Sequence, residues 1–179
     1  MNPVLRYAAV YGSLSGLIVI IVLIVGLQFQ HQLHFIGTEW FGYLIMLIAM
    51  TFIFVGVKRY RDVEKGGVIK FVPAFFVGLS IAVVASLIYV LMWEIYLATT
   101  HYAFMDQYID GIIRARKAAG VSGPALAQQI AKLNEMRAEY ANPLFRLPMT
   151  FLEIFPVGSI VALVSAALIR SSKFLPAAR

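Results

Sequence analysis

Four apolar runs, at residues 7–27, 40–57, 71–98 and 147–169, dominate this sequence. Each has the ~17 residues or more that a helix needs to cross a hydrocarbon core. Within that core water cannot satisfy backbone N–H and C=O groups, so each run must pair them internally, as an α-helix does. Composition points the same way. The chain is 61% hydrophobic and 13% charged, where soluble domains are about 45–50% apolar and about 25% charged. The expected fold is an all-α membrane protein, a single domain over residues 1–179 with four transmembrane helices. The first run is too long for the apolar part of a secretory signal, and no small-residue cleavage site follows it in QFQHQLHF, so it is expected to be retained.

The cations set the expected orientation. Arg6, then Lys58, Arg59, Arg61, Lys65 and Lys70 in the connection KRYRDVEKGGVIK, then Arg170, Lys173 and Arg179 all lie close to span ends on one side. The short connection QFQHQLHFIGTE on the other side holds no Lys or Arg. By the positive-inside rule both termini are then cytoplasmic, in a multi-pass inner-membrane protein. Lys58, Arg59, Arg61 and Lys65 serve topology in this reading, and they can equally hold anionic lipid headgroups. Gly66 and Gly67 suit a tight return with positive φ. The net charge of +6 is therefore spent at the membrane surface, and nucleic acid is not an expected partner.

Between the third and fourth runs, residues 101–146 turn polar at helical spacing. FMDQYIDGIIRARKAAG aligns Phe104, Met105, Tyr108, Ile109, Ile112 and Ile113; SGPALAQQIAKLNEMRAEYANP aligns Leu126, Gln129, Ile130, Leu133, Met136 and Tyr140. Ser122 is a candidate cap, and Asn142-Pro143 a stop. An extracytoplasmic amphipathic helical hairpin is expected, which caps the bundle, docks a partner or lies on lipid.

Small residues recur every four positions in three runs: Ala8, Gly12 and Gly16; Gly78, Ala82 and Ser86; Gly158, Ala162 and Ala166. Such ridges let membrane helices approach closely. Counting inward from the flanking cations places Glu94 just beyond the hydrocarbon, Glu153 about one turn inside it, and Glu39 at the same outer level, with Arg146 and His101 close by. Two readings stand. These acids line a polar pocket that holds a proton or cation, or they are structural, paired with Arg146 or His101, or with a basic residue of a partner. Pro156 removes one helix hydrogen bond beside Glu153.

Catalytic chemistry is not expected. The chain has no cysteine, no nucleophile with a base, no phosphate loop and no cofactor motif. His31 and His34 are three apart but read as solvated loop residues rather than metal ligands.

Over nearly its whole length the chain resembles a bacterial membrane family known as domain of unknown function four-one-nine-nine. The resemblance rests on Tyr-Gly-x-x-Ser-Gly at residues 11–16, on GVKRYRD with GG.I.F, on YV..WEIY, and on NPLF...TF.EIFPVG. It implies a four-span inner-membrane protein with cytoplasmic termini and carries no reaction or catalytic residue with it. The expected role is an accessory or scaffold subunit that meets lipids and other membrane subunits through its spans and outer hairpin. The alternative is a small proton- or cation-coupled transporter using Glu94 and Glu153 as a homo-oligomer.

Overall fold

The structure is a computed structural model that describes residues 2–29 and 39–177, the side chains of Phe29, Glu39 and Phe41 excepted. His31, His34 and Arg179 lie outside the described residues, as does the side chain of Glu39. Six α-helices follow in order: α1 Pro3–Phe29, α2 Glu39–Glu64, α3 Phe71–Thr99, α4 Phe104–Ala118, α5 Gly123–Ala141 and α6 Pro143–Ile169. Four of them, α1, α2, α3 and α6, are long and apolar enough to cross a membrane. No strand occurs among the described residues.

Helix ends differ from the apolar runs in instructive ways. Helix α2 continues through Lys58, Arg59 and Arg61 to Glu64, so these cations stand on a helix rather than in a loop. Nothing in KRYRDVE breaks a helix. The chain turns only at Gly66 and Gly67, with φ of 60° and 90°, where the Gly67 N–H returns to the Arg61 carbonyl at 3.0 Å. Helix α6 starts at Pro143, where a missing N–H costs nothing, and Asn142 caps it by accepting the Leu144 N–H on Oδ1 at 3.0 Å. It then runs unbroken past Pro148 and Pro156. Ser122 occupies the cap position of α5 in extended conformation, but its hydroxyl makes no cap hydrogen bond.

The end of α3 has no glycine to help it. His101 and Tyr102 both take left-handed conformations, with φ of 52° and 56°. The Tyr102 N–H reaches back to the Leu97 carbonyl at 2.7 Å, and the His101 N–H to Ala98 at 3.2 Å. These are the paired bonds of a Schellman ending, built at a residue that has a Cβ.

The chain divides into two compact units, Met1–Met92 with Phe151–Arg179, and Trp93–Thr150. In the first unit, small residues bring helices together. A methyl group placed on Gly12 would lie 2.7 Å from Val84 Cβ, and one on Gly16 would lie 2.5 Å from the Ala85 carbonyl oxygen, so α1 runs against α3 almost backbone to backbone. A methyl on Gly78 would meet Ala162 Cβ at 2.9 Å, and one on Gly158 would meet Ala82 Cβ at 2.9 Å. This reciprocal pairing fixes an antiparallel register between α3 and α6. One turn further each way, the register sets Ala74 opposite Ala166 and Ser86 opposite Ile154, all four of them buried. Helix α2 completes the core through Met50, Ile53 and Val57, and the Ser15 hydroxyl donates to the Ala49 carbonyl across α1 and α2 at 2.9 Å.

In the second unit α4 and α5 pair as a hairpin. Arg137 of α5 reaches Asp106 and Asp110 of α4 at 3.0 and 3.1 Å. Ile109 is fully buried. The other apolar positions of the two helices are at best half-buried, and Tyr108 is exposed.

Candidate functional site

Arg146 is the most tightly held charge of the second unit. The first turn of α6 carries it inward, and it is 3% exposed. Its Nε and Nη2 donate to the two carboxylate oxygens of Glu94 at 2.7 and 2.8 Å. Its Nη1 donates to the carbonyls of Tyr140 and Ala141 at 3.0 and 3.4 Å, which belong to the last turn of α5, where carbonyls lack helical partners. The rings of Tyr102 and Tyr140 lie 5.1 and 5.7 Å from the guanidinium carbon, within cation–π range. Trp93 donates to the Tyr140 hydroxyl at 2.8 Å and packs edge-on against Phe104 at 4.9 Å.

The left-handed bend at His101 and Tyr102 carries the Tyr102 ring to Arg146. Chemically, this is a neutralised fork-to-fork pair with both Glu94 oxygens occupied. It locks the end of α3 to the start of α6. His101 is exposed and forms no ion pair among the described residues.

Glu153 belongs to the first unit and has a different setting. It is exposed on the flank of α6, on the same stripe as Met149, Leu152, Pro156, Ile160, Leu163 and Val164. The Tyr89 hydroxyl donates to its Oε2 at 3.4 Å, and no cation pairs with it among the described residues. A carboxylate therefore sits in an otherwise apolar outward face of a helix long enough to cross a membrane.

At the end of the first unit where α1 begins and α2 ends, charges are mostly paired. Arg6 Nη2 donates to Glu64 at 2.7 Å, and Tyr7 donates to the same oxygen at 3.4 Å. Lys58 holds Asp62 at 2.6 Å, and Lys65 stands 5.8 Å from the Tyr60 ring centre. Arg61 does not offer its charge to headgroups: its side chain is fully buried. It donates to the carbonyls of Ile169, Phe174 and Leu175 at 3.4, 3.0 and 2.5 Å and to Asp62 at 2.7 Å. It thus caps α6 and ties down the segment that follows. Arg59 is exposed and has no ion pair among the described residues.

Sequence reasoning missed Tyr89, Tyr102, Tyr140 and Trp93. Aromatic residues near a membrane interface signal only a belt, and nothing local marks which of them turn toward a charge. It also missed Glu64 and Asp62, whose partners are set by helix continuation past the apolar run. No group of three or more His, Asp or Glu able to hold a metal occurs among the described residues.

A protein-family model described as "Protein of unknown function (DUF4199)" matches residues 10–171. No curated protein and no solved structure matches the chain.

Proposed function

Because the chain belongs to the DUF4199 family, whose description assigns no reaction, we propose its role from geometry: a non-catalytic membrane subunit that docks other membrane proteins through its spans. The observation that carries this reading is the outward carboxylate of Glu153. An acid at the centre of a membrane helix costs about 2.5–3.5 kcal/mol, less near the rim, and Tyr89 relieves only part of that. A basic or hydrogen-bonding group of a second chain against the α6 stripe would relieve the rest. Helix α6 then serves two faces: its small residues hold α3, and its opposite face receives the partner.

In this reading the protein sits in a bacterial inner membrane. The cations of Arg6, α2 and the chain end face the cytoplasm, and the α4–α5 hairpin lies outside. The Glu94–Arg146 pair fixes the ends of α3 and α6, so the hairpin is a steady platform for a second contact.

The test is isolation in mild detergent, followed by mass measurement and identification of the complex, for wild type and Glu153→Leu. A foreign membrane subunit present at fixed stoichiometry and lost in Glu153→Leu is the expected result. An oligomer of this chain alone, with proton or cation flux in liposomes that Glu153→Gln abolishes, would favour the transporter reading, in which Glu153 lines a path between protomers. A monomer without flux would defeat both.

A further inference from the structure

Arg59, exposed on α2 and without an ion pair among the described residues, points to a site distinct from the Glu153 face. Arg59 opens on a groove of about 270 Å³ whose other walls are Arg6, Tyr7, Val10, Tyr11 and Val63. The groove runs between α1 and α2. Its apolar wall is formed by Val10 and Tyr11, both within the apolar part of α1, and by Val63 of α2. Its cations are Arg6, near the start of α1, and Arg59, two residues past the last apolar turn of α2.

We propose that this groove binds one phospholipid of net negative charge, its phosphate held between Arg59 and Arg6 and the start of an acyl chain laid along Val10 and Tyr11. Charge complementarity selects this occupant. Arg6 is half-committed to Glu64 at 2.7 Å, Arg59 has no ion pair among the described residues, and the two arginines with Glu64 leave one net positive charge to meet one phosphodiester. A guanidinium presents paired N–H donors that suit phosphate oxygens. Tyr7 is fixed by stacking on Tyr11 at 5.9 Å and by its edge contact with Tyr60 at 5.4 Å, so this wall is rigid before the lipid arrives. Val10 and Val63 are 52% and 63% exposed, and the groove is open along its side, as entry from a bilayer requires. A soluble phosphate would use the arginines alone and gain nothing from the apolar wall.

Native mass spectrometry of the detergent-purified chain, incubated with phosphatidylglycerol or phosphatidylcholine, tests the site. The wild type is expected to retain one phosphatidylglycerol and little phosphatidylcholine. Arg59→Gln should lower retention about fivefold, as one lost arginine contact at a membrane surface implies, while Arg59→Lys keeps most of it and so separates charge from folding. Val10→Trp, which fills the groove and leaves both arginines, should abolish retention. Glu64→Gln frees Arg6 and should raise retention, a gain that a damaged protein would not show. Equal retention by wild type and Arg59→Gln, or full retention by Val10→Trp, would overturn the proposal. Displacement of the lipid by glycerol 3-phosphate at equal concentration would overturn the lipid as its occupant.

Discussion

The α3–α6 seam of the first unit and the Glu94–Arg146 cluster of the second join the same two helices by opposite means. In the seam, Gly78 meets Ala162 and Gly158 meets Ala82, and close backbone approach brings the helices together. In the cluster, a nearly buried guanidinium gathers a carboxylate, two helix-end carbonyls and two tyrosine rings. The difference follows the solvent. Where lipid surrounds the helices, apolar side chains gain little by leaving it for each other, and close contact between small residues is the available attraction. Where the chain turns back and helix ends expose carbonyls, polar groups must be satisfied, and one arginine satisfies several at once.

The contrast predicts how each region fails. Glu94→Ala strands the guanidinium of Arg146, and breaking such a buried pair costs about 3–5 kcal/mol; thermal unfolding in detergent should show the largest loss here. Gly16→Ala adds only a methyl group, but that methyl falls 2.5 Å from the Ala85 carbonyl oxygen, and overpacking of this kind costs about 1–3 kcal/mol. The same assay on Gly66→Ala, whose added methyl meets nothing, separates crowding from the cost of a left-handed alanine. His101→Gly should stabilise the chain by about 1 kcal/mol, since it removes the penalty of a Cβ at positive φ; a loss would mean that His101 itself makes a contact that matters. Ser15→Ala deletes one interhelical hydrogen bond and is expected to cost about 0.6 kcal/mol, the average for such bonds in membranes.

The sequence made the four spans legible because a run of apolar residues is a direct consequence of lipid as solvent. The helix ends were less legible. An apolar count stops at Lys58, but the α2 helix stops only where glycine turns it, at Gly66. The apolar run at 71–98 stops within one residue of the end of α3 at Thr99, but nothing in the sequence marked the left-handed turn, since His101 and Tyr102 do the work that glycine does elsewhere. Arg61 read as a surface cation because the carbonyls it caps lie more than a hundred residues away, at Ile169, Phe174 and Leu175. Depth counting brought Glu94 and Arg146 to one level, but the choice between a pocket and a closed pair depended on the rotation of two helices, which no local pattern encodes. For Glu153 the same counting gave depth without direction, and its outward face is what turns the question toward a second chain.

The most direct test of that idea is a site-specific cross-link. A photoreactive side chain placed at Ile160, on the exposed α6 stripe, should join this chain to one membrane partner of constant mass in native membranes. The yield should collapse when Glu153→Leu is added. Cross-linking to lipid alone, or an undiminished protein adduct in the double variant, would contradict a docking role for this face.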